Sequence, residues 1–187
     1  MSERRTGERV AIISAADTTN LPEFVNGLEG HDWRFYAGPT TADELSDVGV
    51  SVDTIGDYLT RSRFRESPML EDATRVLASY LYSYKLVSRI LPVDFVYVNL
   101  DPIKPETPDE APETRSYHSK KMLLQAAIRA QRLVAHHPDQ LPKIQQMLLE
   151  KRGVSLGVRG HYALEAHKAL IQTVHQNQQR HHGLTGV

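Results

Sequence analysis

The first third of the chain alternates short apolar segments with amphipathic ones, and this alternation restricts the fold more than any other feature. Residues 9–14 (RVAIIS), 33–37 and 50–55 are short and rich in β-branched or aromatic side chains, which predicts three buried strands. The two segments between them carry apolar side chains at helical spacing, and Gly30 and Gly49 are suited to ending the two helices. The strand–helix–strand–helix–strand order predicts a parallel sheet with right-handed crossovers.

The remaining two thirds of the chain predict two more strands, several helices and two loops. Residues 56–67 are polar and predict a loop, while residues 101–115 contain four prolines and several acids, which predicts a mobile loop. Residues 1–8 and 183–187 are expected to be flexible. The whole chain predicts a three-layer, doubly wound α/β domain with a mostly parallel sheet of about five strands. Further strands are expected at residues 93–100 and 133–135, and helices at residues 68–90, 118–130, 138–151 and 159–181.

Length, charge and cysteine content narrow the class of protein. A chain of 187 residues fits one domain with a single core. The formal net charge of -1 offers no basic excess for binding nucleic acid. Cysteine is absent, which excludes a disulfide scaffold, a thiolate nucleophile and a Cys-based zinc site. The N-terminus is polar and no run of about 18 apolar residues occurs, so we expect a cytoplasmic protein without membrane contact.

Polar residues follow three of the predicted strands, where open parallel sheets bind their ligands. These segments are residues 14–18 (SAADT), 38–41 (GPTT) and 99–102 (NLDP), and the first two lead directly into helices. A helix N-terminus offers free N–H groups and partial positive charge to a phosphate, although Ser and Thr at this position commonly serve only as caps. The candidate phosphate- and nucleotide-binding residues are Ser14, Asp17, Thr18, Gly38, Thr40, Thr41 and Asn99.

Five segments in conserved order carry a resemblance to a known family. They are residues 14–20 (SAADTTN), 38–42 (GPTTA), 67–76 (SPMLEDATRV), 96–103 (VYVNLDPI) and 122–130 (MLLQAAIRA). The chain resembles the IMP cyclohydrolase domain of the bifunctional AICAR transformylase/IMP cyclohydrolase family, of the methylglyoxal-synthase-like superfamily, from about residue 9 to about residue 140. NLDP and MLLQAAIRA are the most specific matches. We expect a single cyclohydrolase-like domain over residues 1–187, without a transformylase domain.

The resemblance implies a reaction and a set of reacting groups. The family joins a carboxamide nitrogen to a formyl carbon on the same imidazole nucleotide and then expels water. By alignment, Arg75 and Arg129 replace two family lysines, Asp101 replaces a tyrosine, and Tyr117 or His118 stands where an aspartate is expected. The two arginines would stabilise an oxyanion or hold a phosphate, Asp101 would act as a base, and Tyr117 or His118 as an acid. The resemblance also implies a homodimer, and a separate formyltransferase is a possible partner.

The same residues leave other interpretations open. The loss of the family lysines favours a nucleotide-binding or regulatory protein without catalysis, in which Arg75 and Arg129 are solvated helix residues and Asp101 only begins a turn. A lyase similar to methylglyoxal synthase would need an acidic pair beside the phosphate loop, for which Asp17 and Asp57 are candidates.

The nine histidines do not predict a metal site. His136 and His137 are adjacent, so their side chains diverge, and His161, His167 and His175 are not spaced three or four residues apart on their helix. We therefore expect neither a metal nor a cofactor.

Overall fold

The computed structural model describes residues 8–61, 73–82, 93–100, 111–150 and 153–184. Within these ranges a short 3₁₀ turn occupies Pro138–Gln140. The strands are β1 (Arg9–Ser14), β2 (Trp33–Ala37), β3 (Asp53–Thr54), β4 (Phe95–Val98) and β5 (Leu133–Ala135). The helices are α1 (Leu21–Leu28), α2 (Pro39–Asp47), α3 (Ile55–Arg61), α4 (Ala73–Tyr82), α5 (Ala111–Arg129), α6 (Leu141–Leu149) and α7 (Leu156–Leu184).

The five strands form one all-parallel sheet in the order β3-β2-β1-β4-β5, which confirms the predicted α/β fold. Ala11 of β1 is in register with Phe35 of β2 on one side and with Phe95 of β4 on the other. Right-handed crossovers then place α1 and α2 on one face of the sheet and α4 and α5 on the opposite face. Helix α1 packs against α6, and α4 packs against α5, which completes three layers.

The sheet is buried on both faces, so its central strands have no alternation of polar and apolar residues. Every residue of β4 is buried, and so is every residue of β1 after Arg9. Phe24 of α1 packs against Phe95 of β4 with a ring-centroid distance of 5.3 Å. The continuous apolar runs that predicted these strands therefore reflect two covered faces.

Helix α3 contradicts the prediction of a loop over residues 56–67, because residues 55–61 are helical and residues 62–67 lie outside the described part of the chain. Thr54 and Asp57 start the helix as a reciprocal pair, in which the Thr54 N–H donates to Asp57 Oδ2 and the Asp57 N–H donates to Thr54 Oγ1, at 3.0 and 3.1 Å. Tyr58 and Leu59 are buried on its inner face. The third strand is correspondingly shorter than the predicted residues 50–55.

Several other element boundaries differ from the predictions. Helix α5 begins at Ala111 with Pro112 in its first turn, so the last five residues of the expected mobile loop are helical; residues 101–110 lie outside the described residues. The predicted helix over residues 138–151 is divided into the 3₁₀ turn and α6. Helix α7 continues to Leu184, beyond the expected start of a flexible tail at residue 183. No described helix is both long and apolar enough to cross a membrane.

We predict that Asp57→Ala lowers the free energy of unfolding by about 1 kcal/mol at neutral pH, because it removes one half of the capping pair. Hydrogen bonds from the Thr54 hydroxyl and N–H lower the pKa of Asp57 below its ordinary 3.8. A depressed pKa in the folded state gives stability that is present above pH 3.8 and is lost as the pH falls through the folded-state pKa.

Urea unfolding of both proteins at neutral pH and at about pH 3 measures this difference. The stability gap between wild type and Asp57→Ala should shrink at the lower pH. Asp43→Ala is the matched control, because Asp43 is exposed on α2 and its side chain makes no hydrogen bond or ion pair with the described residues. A gap that is the same at both pH values would contradict the capping role of the ionised carboxylate.

Candidate functional site

The carboxyl ends of β1, β2, β4 and β5 lie along one edge of the sheet, because all the strands are parallel. The chain leaves β1 towards β2 on one side, whereas β4 lies on the other side of β1. Strand order therefore reverses between β1 and β4, and ligands of open α/β sheets bind in the crevice at such a point. Ser14 ends β1, Gly38 follows β2, Asn99 follows β4 and His136 follows β5. We call these four residues and the segments directly after them the strand-end site.

Ser14 and Gly38 are in close contact at the centre of this site. The Gly38 N–H donates to the Ile13 carbonyl at 2.8 Å, which holds the residue after β2 against the end of β1. A Cβ atom added to Gly38 would lie 3.3 Å from Ser14 Oγ. The backbone of Gly38, with φ -60° and ψ 151°, is accessible to any residue, so the glycine serves to leave space and not to allow an unusual conformation.

The hydroxyl of Ser14 is poorly exposed and lacks a partner in the described part of the chain. Ser14 is 4% exposed, and its Oγ makes no hydrogen bond to any described residue. Helix α2 starts beside it, with Gly38 as the N-cap and no side chain capping the first N–H groups. A buried hydroxyl and an uncapped helix N-terminus thus share one place, which is the arrangement that suits an anion.

Thr41, a second predicted phosphate residue, has a different role. It is 2% exposed, and its hydroxyl donates to the Ala15 carbonyl at 3.0 Å and accepts from the Ala15 N–H at 3.1 Å. This pair of bonds fixes the segment after β1 to α2, so the Thr41 hydroxyl is occupied within the protein. Thr40, one residue earlier in the first turn of α2, is exposed and keeps its hydroxyl at the surface.

The segment after β1 is a turn braced against β4. Asp17 Oδ1 accepts a hydrogen bond from the Thr19 N–H at 2.9 Å, and the Tyr97 hydroxyl donates to the Asp17 carbonyl at 3.1 Å. Hydrogen bonds from the Thr19 hydroxyl and N–H lower the pKa of Asp17. Thr18 is partly buried in the same turn, and its carbonyl accepts from the Leu21 N–H at 3.0 Å. Asp17 is therefore held as an ionised turn residue.

Asn99 and His136 meet at the ends of β4 and β5. Asn99 Nδ2 donates to the His136 carbonyl at 3.4 Å, which directs Asn99 Oδ1 away from that carbonyl. Asn99 Oδ1 and His136 Nδ1 are both buried, and neither has a hydrogen-bond partner among the described residues. Sequence reasoning considered His136 only as a metal ligand. The available signal was its position directly after a predicted strand, at the same edge as Asn99.

The other predicted reacting residues that the structure describes lie on the helices α4 and α5. Arg75 is exposed in the first turn of α4. Tyr117 is 8% exposed in α5, with its ring edge-on to that of His118, which is exposed. Asp101 lies outside the described residues.

Within the chain, Arg129 lies at the edge of the sheet opposite the strand-end site. It is the last residue of α5, which leads into the first residue of β5, Leu133, and strands of this parallel sheet begin at the edge opposite the strand-end site. The Arg129 guanidinium lies 4.4 Å from the ring centroid of Tyr82 in α4, and both side chains are exposed. Such a cation–π contact stabilises the packing of α4 on α5 at the surface.

A separate groove of about 280 Å³ lies between α5 and α7. Its lining combines apolar side chains with a lysine, a glutamine and two histidines. It is lined by Lys121, Gln125, His167, Leu170, Ile171, Val174 and His175, none of which belongs to the strand-end site.

Comparison with known proteins identifies the fold but no family. No family model matches the chain, and no curated protein matches it. Among solved structures, the chain is similar to one described as "Crystal structure of ForH", with a TM-score of 0.70 and 19% sequence identity, over 91% of this chain and 98% of that one. At this identity the similarity shows that the two chains share a three-layer α/β fold.

Proposed function

We propose that this protein is a cyclohydrolase-like enzyme that closes the second ring of a formamido-azole-carboxamide ribonucleotide. The reaction would convert 5-formyl-AICAR to IMP, or a related azole nucleotide to its bicyclic product. The observation that carries the proposal is the contact between Ser14 and Gly38, where a buried hydroxyl without a partner among the described residues adjoins an uncapped helix. The sequence resemblance is the basis for the reaction, and the strand-end site is where we propose that it occurs.

In this proposal the 5′-phosphate binds at the start of α2. The first N–H groups of α2 and the hydroxyls of Ser14 and Thr40 donate to its oxygens, and Gly38 leaves room for the phosphate to approach the backbone. Thr41 supports the site indirectly by holding Ala15. The azole then extends along the sheet edge across the end of β1 towards Asn99, since β4 is the neighbour of β1 on the side away from β2.

Positioning supplies much of the acceleration in such a reaction, because the nucleophile and the electrophile belong to one molecule. The carboxamide nitrogen attacks the formyl carbon, and charge develops on the formyl oxygen. Arg75 is the proposed partner of that oxyanion, and it acts by charge alone because guanidinium keeps its proton at ordinary pH. Asp101 and either Tyr117 or His118 remain the proposed base and acid. Arg129 is not part of the proposed site, given its place beside Tyr82.

A nucleotide-binding protein without catalysis is the second candidate function. The placement of Arg129 favours it, because one of the two positions that carry lysine in the family lies at the far edge of the sheet. A lyase similar to methylglyoxal synthase has less support. Asp17 and Asp57 are both held in local turns by hydrogen bonds that lower their pKa, whereas proton transfer near neutral pH is favoured by a raised one.

The proposal includes the partners that the resemblance implies and the location that the polar N-terminus and the lack of a long apolar run predict. The protein would act in the cytoplasm as a homodimer without metal or cofactor, on a nucleotide that a separate formyltransferase has formylated.

Ring closure is tested by the change in ultraviolet absorbance when purified protein is mixed with 5-formyl-AICAR. We expect IMP to form faster than in the uncatalysed background. Tight nucleotide binding without IMP formation would support the second candidate function. The absence of both nucleotide binding and IMP formation would overturn the proposal.

A further inference from the structure

The main chain of His136, directly after β5, is held by hydrogen bonds from two side chains. The His136 N–H donates to Gln140 Oε1 at 2.9 Å, and the His136 carbonyl accepts from Asn99 Nδ2 at 3.4 Å. Gln140 is itself held, because its Nε2 donates to Glu165 Oε2 of α7 at 3.0 Å. The position of His136 is therefore fixed from both β4 and α7, while its Nδ1 atom has no partner among the described residues.

Two buried polar atoms at one sheet edge without partners need an explanation, because leaving such an atom unsatisfied costs about 1–3 kcal/mol. Asn99 Oδ1 is an acceptor, since its amide nitrogen is committed to the His136 carbonyl. Burial lowers the pKa of His136, and Glu165 opposes this shift only in part, so the imidazole is neutral at neutral pH. In the arrangement proposed below, the imidazole carries its proton on Nε2, so Nδ1 is a second acceptor.

We propose that His136 Nδ1 and Asn99 Oδ1 together accept the two N–H bonds of a primary amide, and so hold the carboxamide nitrogen of an azole nucleotide. This inference rests on the proposed function, because it takes the phosphate to be bound at Ser14 and Gly38. Two acceptors that share one N–H₂ group lie about 5 Å apart if each hydrogen bond has ordinary length. Neighbouring strands are separated by about 4.8 Å, so adjacent strand ends suit this spacing.

The chemical consequence is that the site would bind a ligand with a carboxamide in preference to one with a carboxylate. Two acceptors bind an N–H₂ group but repel a carboxylate, which has only acceptor oxygens at neutral pH. His136 would thus be a specificity-determining residue that also positions the reacting nitrogen.

The test compares the dissociation constants of three probes by calorimetry: AICAR, the analogue in which a carboxylate replaces the carboxamide, and ribose 5-phosphate. Wild type should bind AICAR at least about tenfold more tightly than the acid. His136→Phe keeps an aromatic ring but lacks the acceptor, so it should lose most of this preference. His136→Asn restores an acceptor near the same place and should regain part of it. Ribose 5-phosphate should bind equally to all three proteins.

The ratio of the two nucleotide affinities distinguishes a specific contact from a general loss of structure, because a general loss would weaken the binding of all three probes. An unchanged preference in His136→Phe, or no preference in wild type, would overturn the role of His136 while leaving the phosphate site standing. Failure of wild type to bind even ribose 5-phosphate would overturn the proposed function as well. The ¹⁵N shift of His136 Nδ1 gives an independent reading, and it should move on adding AICAR but not on adding ribose 5-phosphate.

Discussion

Gly38→Val should weaken nucleotide binding about 100-fold without unfolding the protein. The first added carbon already lies 3.3 Å from Ser14 Oγ, and the two methyl groups beyond it would occupy the space beside the first turn of α2. Gly38 has an ordinary extended backbone, so valine introduces no backbone strain. A loss of nucleotide affinity would therefore come from filling the space that the phosphate would occupy. Calorimetric titration with AICAR measures it.

Gly160→Ala is the control for adding a side chain at a glycine that lies outside the proposed site. A Cβ atom at Gly160 in α7 would meet nothing within 4 Å, so we expect unchanged nucleotide affinity there. The thermal unfolding midpoints of wild type and Gly38→Val should agree within a few degrees. Full affinity in a folded Gly38→Val protein would show that the nucleotide does not use this edge of the sheet.

Thr41→Val should lower the free energy of unfolding by about 2–4 kcal/mol. Valine has nearly the shape of threonine, but it neither donates to the Ala15 carbonyl nor accepts from the Ala15 N–H. Ala15 is 2% exposed, so water does not replace the lost partner. Urea unfolding measures the difference as a lower midpoint with an unchanged slope.

Thr60→Val is the control for the same chemical change at the surface. The Thr60 hydroxyl donates to the Gly56 carbonyl at 2.9 Å, but the residue is exposed on α3. Its loss should cost no more than about 0.5 kcal/mol. Equal losses of unfolding free energy in the two variants would contradict the assignment that Thr41 joins the strand-end turn to α2 by hydrogen bonds.

The sheet could be predicted from sequence because it is buried on both faces. The runs at residues 10–13 and 95–98 are apolar throughout, and the prediction of parallel pairing follows from the helices between the strands. Helix α3 was missed for the opposite reason. It has only three buried residues, and its start depends on the Thr54–Asp57 pair, which is weak evidence in a polar segment.

The candidate site could be predicted only in part. Its general place follows from the strand ends, but the hydroxyls of Ser14 and Thr41 look alike in sequence and differ in the fold, one without a described partner and the other doubly bonded. His136 was missed because its importance depends on Asn99, which is 37 residues away along the chain.

The position of Arg129 could have been deduced from the predicted elements. A helix that precedes a strand of a parallel sheet ends at the edge where strands begin, and Arg129 is four residues before β5. The catalytic role that the family alignment gives Arg129 stays a prediction.

The most direct test of the central claim measures the rate of IMP formation from 5-formyl-AICAR in wild type, Gly38→Val and Gly160→Ala side by side. If ring closure occurs at the strand-end site, wild type and Gly160→Ala should share one rate above background. Gly38→Val should be slower by about tenfold at a substrate concentration that just saturates wild type. Equal rates in all three folded proteins, or background rates in wild type, would contradict it.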